Sequence, residues 1–162
     1  MTNRFFLLVL SALLFTVGCS PREEDVRRIV REELQRGVEK TVYKPGNVIG
    51  PYSPAIRVGK FLFVSGQIAL DPGTGTLQSG TIEAETRQVL ENLRRILSAA
   101  GYDSSHVVSA TVYLKNMSDY QKMNVVYGGY FQDGAYPARV AVQVAELPRQ
   151  ANVEISAIAY KP

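Results

Sequence analysis

Along residues 41–162 the apolar positions recur in two periods. Residues 55–58 and 61–65 are apolar-rich and flank Gly59-Lys60, which predicts a β-hairpin closed by a two-residue turn. Asp71-Pro72-Gly73-Thr74-Gly75 marks the next turn. Between 81 and 100, Ile82, Val89, Leu93, Ile96 and Ala100 stand close to helical spacing, with Glu83 and Glu85 near the start and Gly101 as a stop. Residues 107–114 are β-branched and alternating, a strand pattern. Residues 118–131 put Tyr120, Met123, Val126, Tyr127 and Tyr130 on one helical face. Gly128 and Gly129 oppose that helix by about 1 kcal/mol each. Strands at 139–144 and 153–160 follow. The order β-β-α-β-α-β-β predicts an α+β fold, a single sheet with two helices on one face.

Alternation on the last two strands sorts their side chains. Val140, Val142 and Val144 share one side, and Arg139, Ala141 and Gln143 the other. Val153, Ile155, Ala157 and Ala159 likewise oppose Glu154, Ser156, Ile158 and Tyr160. The all-aliphatic sides are expected beneath the helices. The remaining side would then hold both Arg139 and Glu154, with too little charge for a fully solvated face, which fits a subunit interface. A plain salt bridge, or two unrelated surface charges, accounts for the same pattern.

Upstream of the domain the pattern changes twice. Met1-Thr2-Asn3-Arg4 precedes the uncharged run 5–17, which is too short for a transmembrane helix of about 20 residues but has the length of a secretory-signal core. It closes on Thr16-Val17-Gly18-Cys19. This resembles the lipobox of bacterial lipoproteins, in which the cysteine is lipidated and becomes the mature N-terminus. The resemblance places residues 1–19 as a lipoprotein-type signal peptide and the protein in the cell envelope, lipid-anchored and facing the periplasm where there is an outer membrane. Thr16 departs from the usual Leu. Residues 20–40 read as a charged helical tether: Pro21 at a first helical position, Glu23, Glu24 and Asp25 in the first turn, and a narrow seam of Val26, Ile29, Val30 and Leu34. It serves as a spacer or a short coiled-coil stalk. Residues 41–162 form the one folded domain.

Composition narrows the chemistry. Cys19 is the only cysteine and His106 the only histidine in 162 residues, so neither a disulfide framework nor a Cys- or His-cluster metal site is available. Beyond the signal, 17 basic side chains face 15 acidic ones, a net charge of +2 without a basic stripe, and no nucleic-acid partner is expected.

A collinear set of short motifs adds a family. Gly50-Pro51-Tyr52-Ser53-Pro54-Ala55, Val64-Ser65-Gly66-Gln67, Asn92-Leu93, Ala100-Gly101 and Asn124-Val125-Val126-Tyr127 are followed by Tyr136-Pro137-Ala138-Arg139, Val144-Ala145-Glu146-Leu147-Pro148 and the run 153–159. From about Val42 to Tyr160 this resembles the Rid/YjgF family of enamine/imine deaminases. The resemblance implies a chorismate-mutase-like fold, a homotrimer with clefts between subunits, no metal or organic cofactor, and hydrolysis of 2-aminoacrylate and related 2-imino acids to 2-keto acids and ammonia.

It also implies a ligand site of Tyr52, Ser65, Asn124, Arg139 and Glu154. A guanidinium binds a carboxylate through a fixed fork of donors, the role assigned to Arg139. A carboxylate within reach of water can orient or deprotonate it, the role assigned to Glu154. Tyr52, on its Gly-Pro loop, would close the cleft over the substrate. Ser65 and Asn124 would position the carboxylate or the departing nitrogen, or are simply a strand-end hydroxyl and a helix-surface amide. Tyr113, Tyr127 and Tyr130 read as core or interface aromatics. Ala141 stands where many members carry Cys, Ser156 where a second Glu is frequent, and His106 where Asp is common. A non-catalytic trimer that binds small carboxylates or a partner protein is the alternative function.

Overall fold

The structure, a computed structural model, describes residues 22–35, 39–46, 48–131 and 134–162; the signal and Cys19 lie outside these. The chain divides into two units, Met1–Gly37 and Val38–Pro162. In the first, α1 (Glu23–Gln35) carries its acids in the first turn and an exposed Arg27–Glu23 pair at 2.6 Å. Such i,i+4 pairs each add only a few tenths of a kcal/mol.

The second unit is one mixed sheet with two helices on one face. Its elements are β1 (Lys40–Tyr43), β2 (Ala55–Val58), β3 (Phe61–Gln67), α2 (Ile82–Ala99), β4 (Val107–Leu114), α3 (Tyr120–Tyr130), β5 (Ala138–Gln143) and β6 (Val153–Tyr160). Sheet order is β1-β2-β3-β6-β4-β5, with β4 and β5 parallel and every other pair antiparallel. Gly59, at φ +57, supplies the left-handed residue of the β2–β3 turn. Thr81 caps α2, its hydroxyl accepting from the Ala84 N–H at 3.2 Å. The core packs Val89, Leu93 and Leu97 of α2 and Met123 and Tyr127 of α3 against Leu62, Val112, Leu114, Val153 and Ile155 of the sheet. Each large aliphatic buried there contributes about 1.5–3 kcal/mol. This packing outweighs the cost of Gly128 and Gly129 within α3, where a Cβ on either would meet no clash.

The element order in the sequence lacks one strand. Residues 40–43 form the edge strand β1, paired with β2 through Thr41↔Arg57 and Val42↔Ile56. Four residues ahead of a Pro-Gly loop carry too short an alternation to mark a strand, and only the pairing with β2 fixes it.

The second difference concerns faces. On β6 the expectation stands: Val153, Ile155, Ala157 and Ala159 are buried toward the helices. On β5 it is reversed. Register pairs Arg139 with Ala110 and Ala141 with Val112, both buried on the helix side, so Arg139 and Ala141 face the helices. Val140 is 51% exposed on the opposite face, with Val142 beside it. Aliphatic character misleads here because both faces of the sheet are apolar. The open face carries Ile56, Phe61, Phe63, Ile158 and Tyr160 alongside the two valines, and Phe61 lies 5.1 Å from the Tyr160 ring. Neither α2 nor α3 packs against this face.

Candidate functional site

The predicted site residues fall into two groups. In the first, the β5 backbone directs Arg139 toward α3, one residue beyond Pro137 and Ala138. Tyr120, Asn124 and Tyr127 recur at i, i+4 and i+7 on α3 and therefore share one face. The Arg139 guanidinium carbon lies 4.5 Å from the Tyr127 ring centroid and 5.7 Å from that of Tyr120. Its Nη2 donates to the Tyr120 hydroxyl at 3.2 Å. The Asn124 amide and then the Arg139 guanidinium lower the Tyr120 phenol below its ordinary range. Tyr127 is only 4% exposed, and burial pushes its phenol up to about 12, against the pull of Arg139. Asn124 Oδ1 is buried without a hydrogen-bond partner. No carboxylate among the described residues pairs with Arg139.

The second group gathers where β3 and β6 lose register between Val64 and Gln67. Glu154 rises from the open face over Gly66; a Cβ on Gly66 would fall 1.7 Å from Glu154 Oε1 and 2.6 Å from its Cδ. A glycine is therefore what leaves room for this carboxylate. Half-burial without a cationic partner raises the Glu154 carboxyl above its ordinary value through desolvation. Ser65 ties the preceding loop down: its hydroxyl donates to the Ser53 carbonyl at 2.7 Å and its N–H to the Pro54 carbonyl at 3.0 Å. The reading of Ser65 as a strand-end hydroxyl thus has a definite contact. Tyr52, 41% exposed, tops that loop and lines a shallow cleft of about 70 Å³ with Pro54, Gly66, Gln67 and Arg95.

Within one chain these groups do not meet. Glu154 lies level with Tyr113 of β4 and thence Val142 of β5, three positions beyond Arg139. Two strand spacings across and three residues along amount to roughly 10 Å in each direction, on opposite faces of the sheet. The expectation that Arg139 and Glu154 share a face is overturned, and so is a salt bridge between them.

The family model described as Endoribonuclease L-PSP matches residues 43–161. The chain belongs to this family, the Rid/YjgF family. Among Rid relatives, a RutC family protein of Pyrococcus horikoshii is 57% identical over 113 residues, 70% of this chain and 89% of that protein. The 2-iminobutanoate/2-iminopropanoate deaminase of Mus musculus is 48% identical over 124 residues, 76% of this chain and 90% of that enzyme. The crystal structure of E. coli TdcF with bound serine superimposes with a TM-score of 0.68 at 35% identity, covering 79% of this chain and all of TdcF.

Four residues of this Rid domain hold positions that sequence reasoning did not assign to them. Tyr120 and Tyr127 pass as apolar-face residues, although their spacing with Asn124 is the signal that groups them. Gly66 stands inside a quoted motif, but its role depends on a side chain 88 positions away. Glu85, which reads as a first-turn acid, is fully buried: its carboxylate accepts from the Asn152 N–H at 2.9 Å and from the Asn152 side-chain amide, tying α2 to the entry of β6. The helical spacing carries the signal for that inward turn, since Glu85 stands three residues after Ile82 and four before Val89 on the buried face.

Proposed function

We propose that the protein hydrolyses small 2-imino acids and their enamine tautomers, of the 2-iminobutanoate and 2-aminoacrylate type, to 2-keto acids and ammonia. The observation that carries this reading is the Arg139 cation, which pairs with no carboxylate among the described residues, beside the unfilled acceptor Asn124 Oδ1. A ligand that satisfies both offers a carboxylate next to an N–H group. A 2-imino acid has both, and its 2-keto product retains only the carboxylate. Deaminase is the name of the mammalian relatives, and the serine bound to TdcF pairs a carboxylate with an amine.

In this scheme Arg139 holds the carboxylate and Asn124 the iminium N–H. Water adds to the iminium carbon while Glu154 takes one of its protons, giving a carbinolamine. Glu154 returns the proton to nitrogen, the C–N bond breaks with its electron pair going to nitrogen, and the hydroxyl proton leaves with the ammonia as ammonium. The desolvated Glu154 suits a group that both accepts and returns a proton. The groups the scheme needs are too far apart in one chain, so a second copy, its β5 edge seated on the apolar open face, would bring its Arg139 and Asn124 to this Glu154, in a homotrimer. The N-terminal pattern completes the proposal: Cys19 carries the lipid, α1 is the spacer, and the domain works in the envelope.

The test follows keto-acid release from 2-iminobutanoate and 2-aminoacrylate generated in situ by a dehydratase, with the full chain, Arg139→Ala and Glu154→Gln. Acceleration by the wild type, and by neither variant, is expected. Mixing the two variants and allowing subunits to exchange should restore activity at about a quarter of the sites, because only interfaces with one intact residue from each copy work. Wild-type acceleration without restoration would return both groups to one chain. Binding of 2-oxobutanoate with no turnover would leave a carboxylate-binding module.

A further inference from the structure

We infer that Tyr120 is a positioning residue for Arg139: its hydroxyl fixes one arm of the guanidinium so that the remaining donors face a carboxylate. The inference rests on the assignment of Arg139 as the carboxylate anchor. An arginine at the end of a flexible stem occupies many rotamers, and a bidentate grip requires one. Here three contacts remove that freedom. The Tyr127 ring lies beneath the guanidinium at 4.5 Å and the Tyr120 ring flanks it at 5.7 Å. The 3.2 Å bond from Nη2 to the Tyr120 hydroxyl sets rotation about the last bond.

The two rings contribute differently. A π-face attracts the cation without directing any particular N–H. A hydroxyl acceptor is directional and engages one of the five donors. Tyr127 cannot supply such an acceptor, because its ring face, not its hydroxyl, meets the guanidinium and that hydroxyl has no partner. Tyr120 therefore determines which donors stay free. It stands one helical turn before Asn124, so one edge of α3 places both the anchor's support and the N–H acceptor. That edge starts directly after the 3-10 turn Met117–Asp119, which sets where Tyr120 begins the helix.

The experiment compares 2-oxobutanoate with its neutral amide as ligands of the full chain by titration calorimetry, in wild type, Tyr120→Phe and Arg139→Ala. The phenylalanine keeps the ring and removes only the hydroxyl. Wild type is expected to prefer the acid. Arg139→Ala should abolish the preference, and Tyr120→Phe should reduce it roughly tenfold, the effect of one hydrogen bond to a charged group. With the imine substrate, KM should rise by a similar factor while kcat stays within twofold, and the unfolding midpoint should not move. A structural role alone would weaken acid and amide together. If wild type prefers the acid, Arg139→Ala loses the preference and Tyr120→Phe retains it, the inference about Tyr120 falls and Arg139 keeps its role. If wild type shows no preference, the carboxylate anchor and the inference fall together.

Discussion

The two faces of this sheet hold their charged groups in opposite ways. On the helix-covered face, Arg139 is surrounded: two aromatic rings and a hydroxyl hold it, and the neighbouring acceptor of Asn124 is unfilled. On the open face, Glu154 meets a glycine and has no hydrogen-bond partner among the described residues, while the surface around it is apolar. The first arrangement fixes a charge beside an open acceptor. The second leaves a charge poorly solvated and free to change protonation. A binding group benefits from being rigid and permanently ionised, and a proton-transfer group from being poised. Within one chain, dividing the two between faces keeps the cation from lowering the carboxyl, and the proposed mechanism then requires a second copy to bring them together.

The comparison breaks most sharply at Glu154. Glu154→Gln is expected to lower kcat by roughly 10²–10⁴ while leaving 2-oxobutanoate affinity near wild type. The wild-type acid limb of kcat/KM should lie above the ordinary carboxylate range and vanish in the variant, because the raised carboxyl must be ionised to take a proton. The stability effect has the opposite sign. A carboxyl whose pKa is raised by folding contributes stability below its unfolded value, and that contribution is lost as pH climbs through the folded value. At neutral pH Glu154→Gln should therefore be no less stable than wild type in urea titration. A stability loss there would mean that Glu154 is held by a structural contact.

Gly66→Ala comes next in size. Its Cβ would occupy the place of the Glu154 carboxylate, so that side chain must take another rotamer. The displaced group is the end of a flexible chain, so the unfolding midpoint should fall little. Activity should drop at least tenfold, with the kcat loss exceeding any change in KM. Unchanged kcat would show that Glu154 works from another position.

Much of this architecture is legible in the chain, and what is not has specific causes. The helix over α2, the β2–β3 hairpin and strands β4 and β6 follow from period and punctuation, because each buries one clean stripe. The short strand β1 does not, since its only reason to be a strand is its neighbour. The face of β5 is misread because alternation tells which residues share a side, and not which side meets the helices; with both faces apolar, only the register with β4 decides. Among the site residues, Arg139 and Glu154 can be picked out as charges on strands. That they stand on opposite faces, with Tyr120 supporting one and Gly66 admitting the other, is a property of the fold.

The smallest expected effect tests whether the cation really lies on Tyr127. Burial pushes the phenols of Tyr127 and Tyr130 up to about 12, and Arg139 pulls back on Tyr127 alone. Free tyrosine ionises near pH 10, roughly, so between that pH and about 12 the unfolded chain loses these protons while the folded one keeps them. Stability present below pH 10, roughly, should therefore decline across that window. Tyr130→Phe removes one late-titrating phenol and should flatten the decline. Arg139→Ala should steepen it, because Tyr127 without its cation holds its proton to still higher pH. Denaturant midpoints measured every half pH unit, alongside the phenolate absorbance, follow both changes. A decline unaltered by Arg139→Ala would place the guanidinium away from the Tyr127 ring and remove the rigid half of the contrast between the two faces.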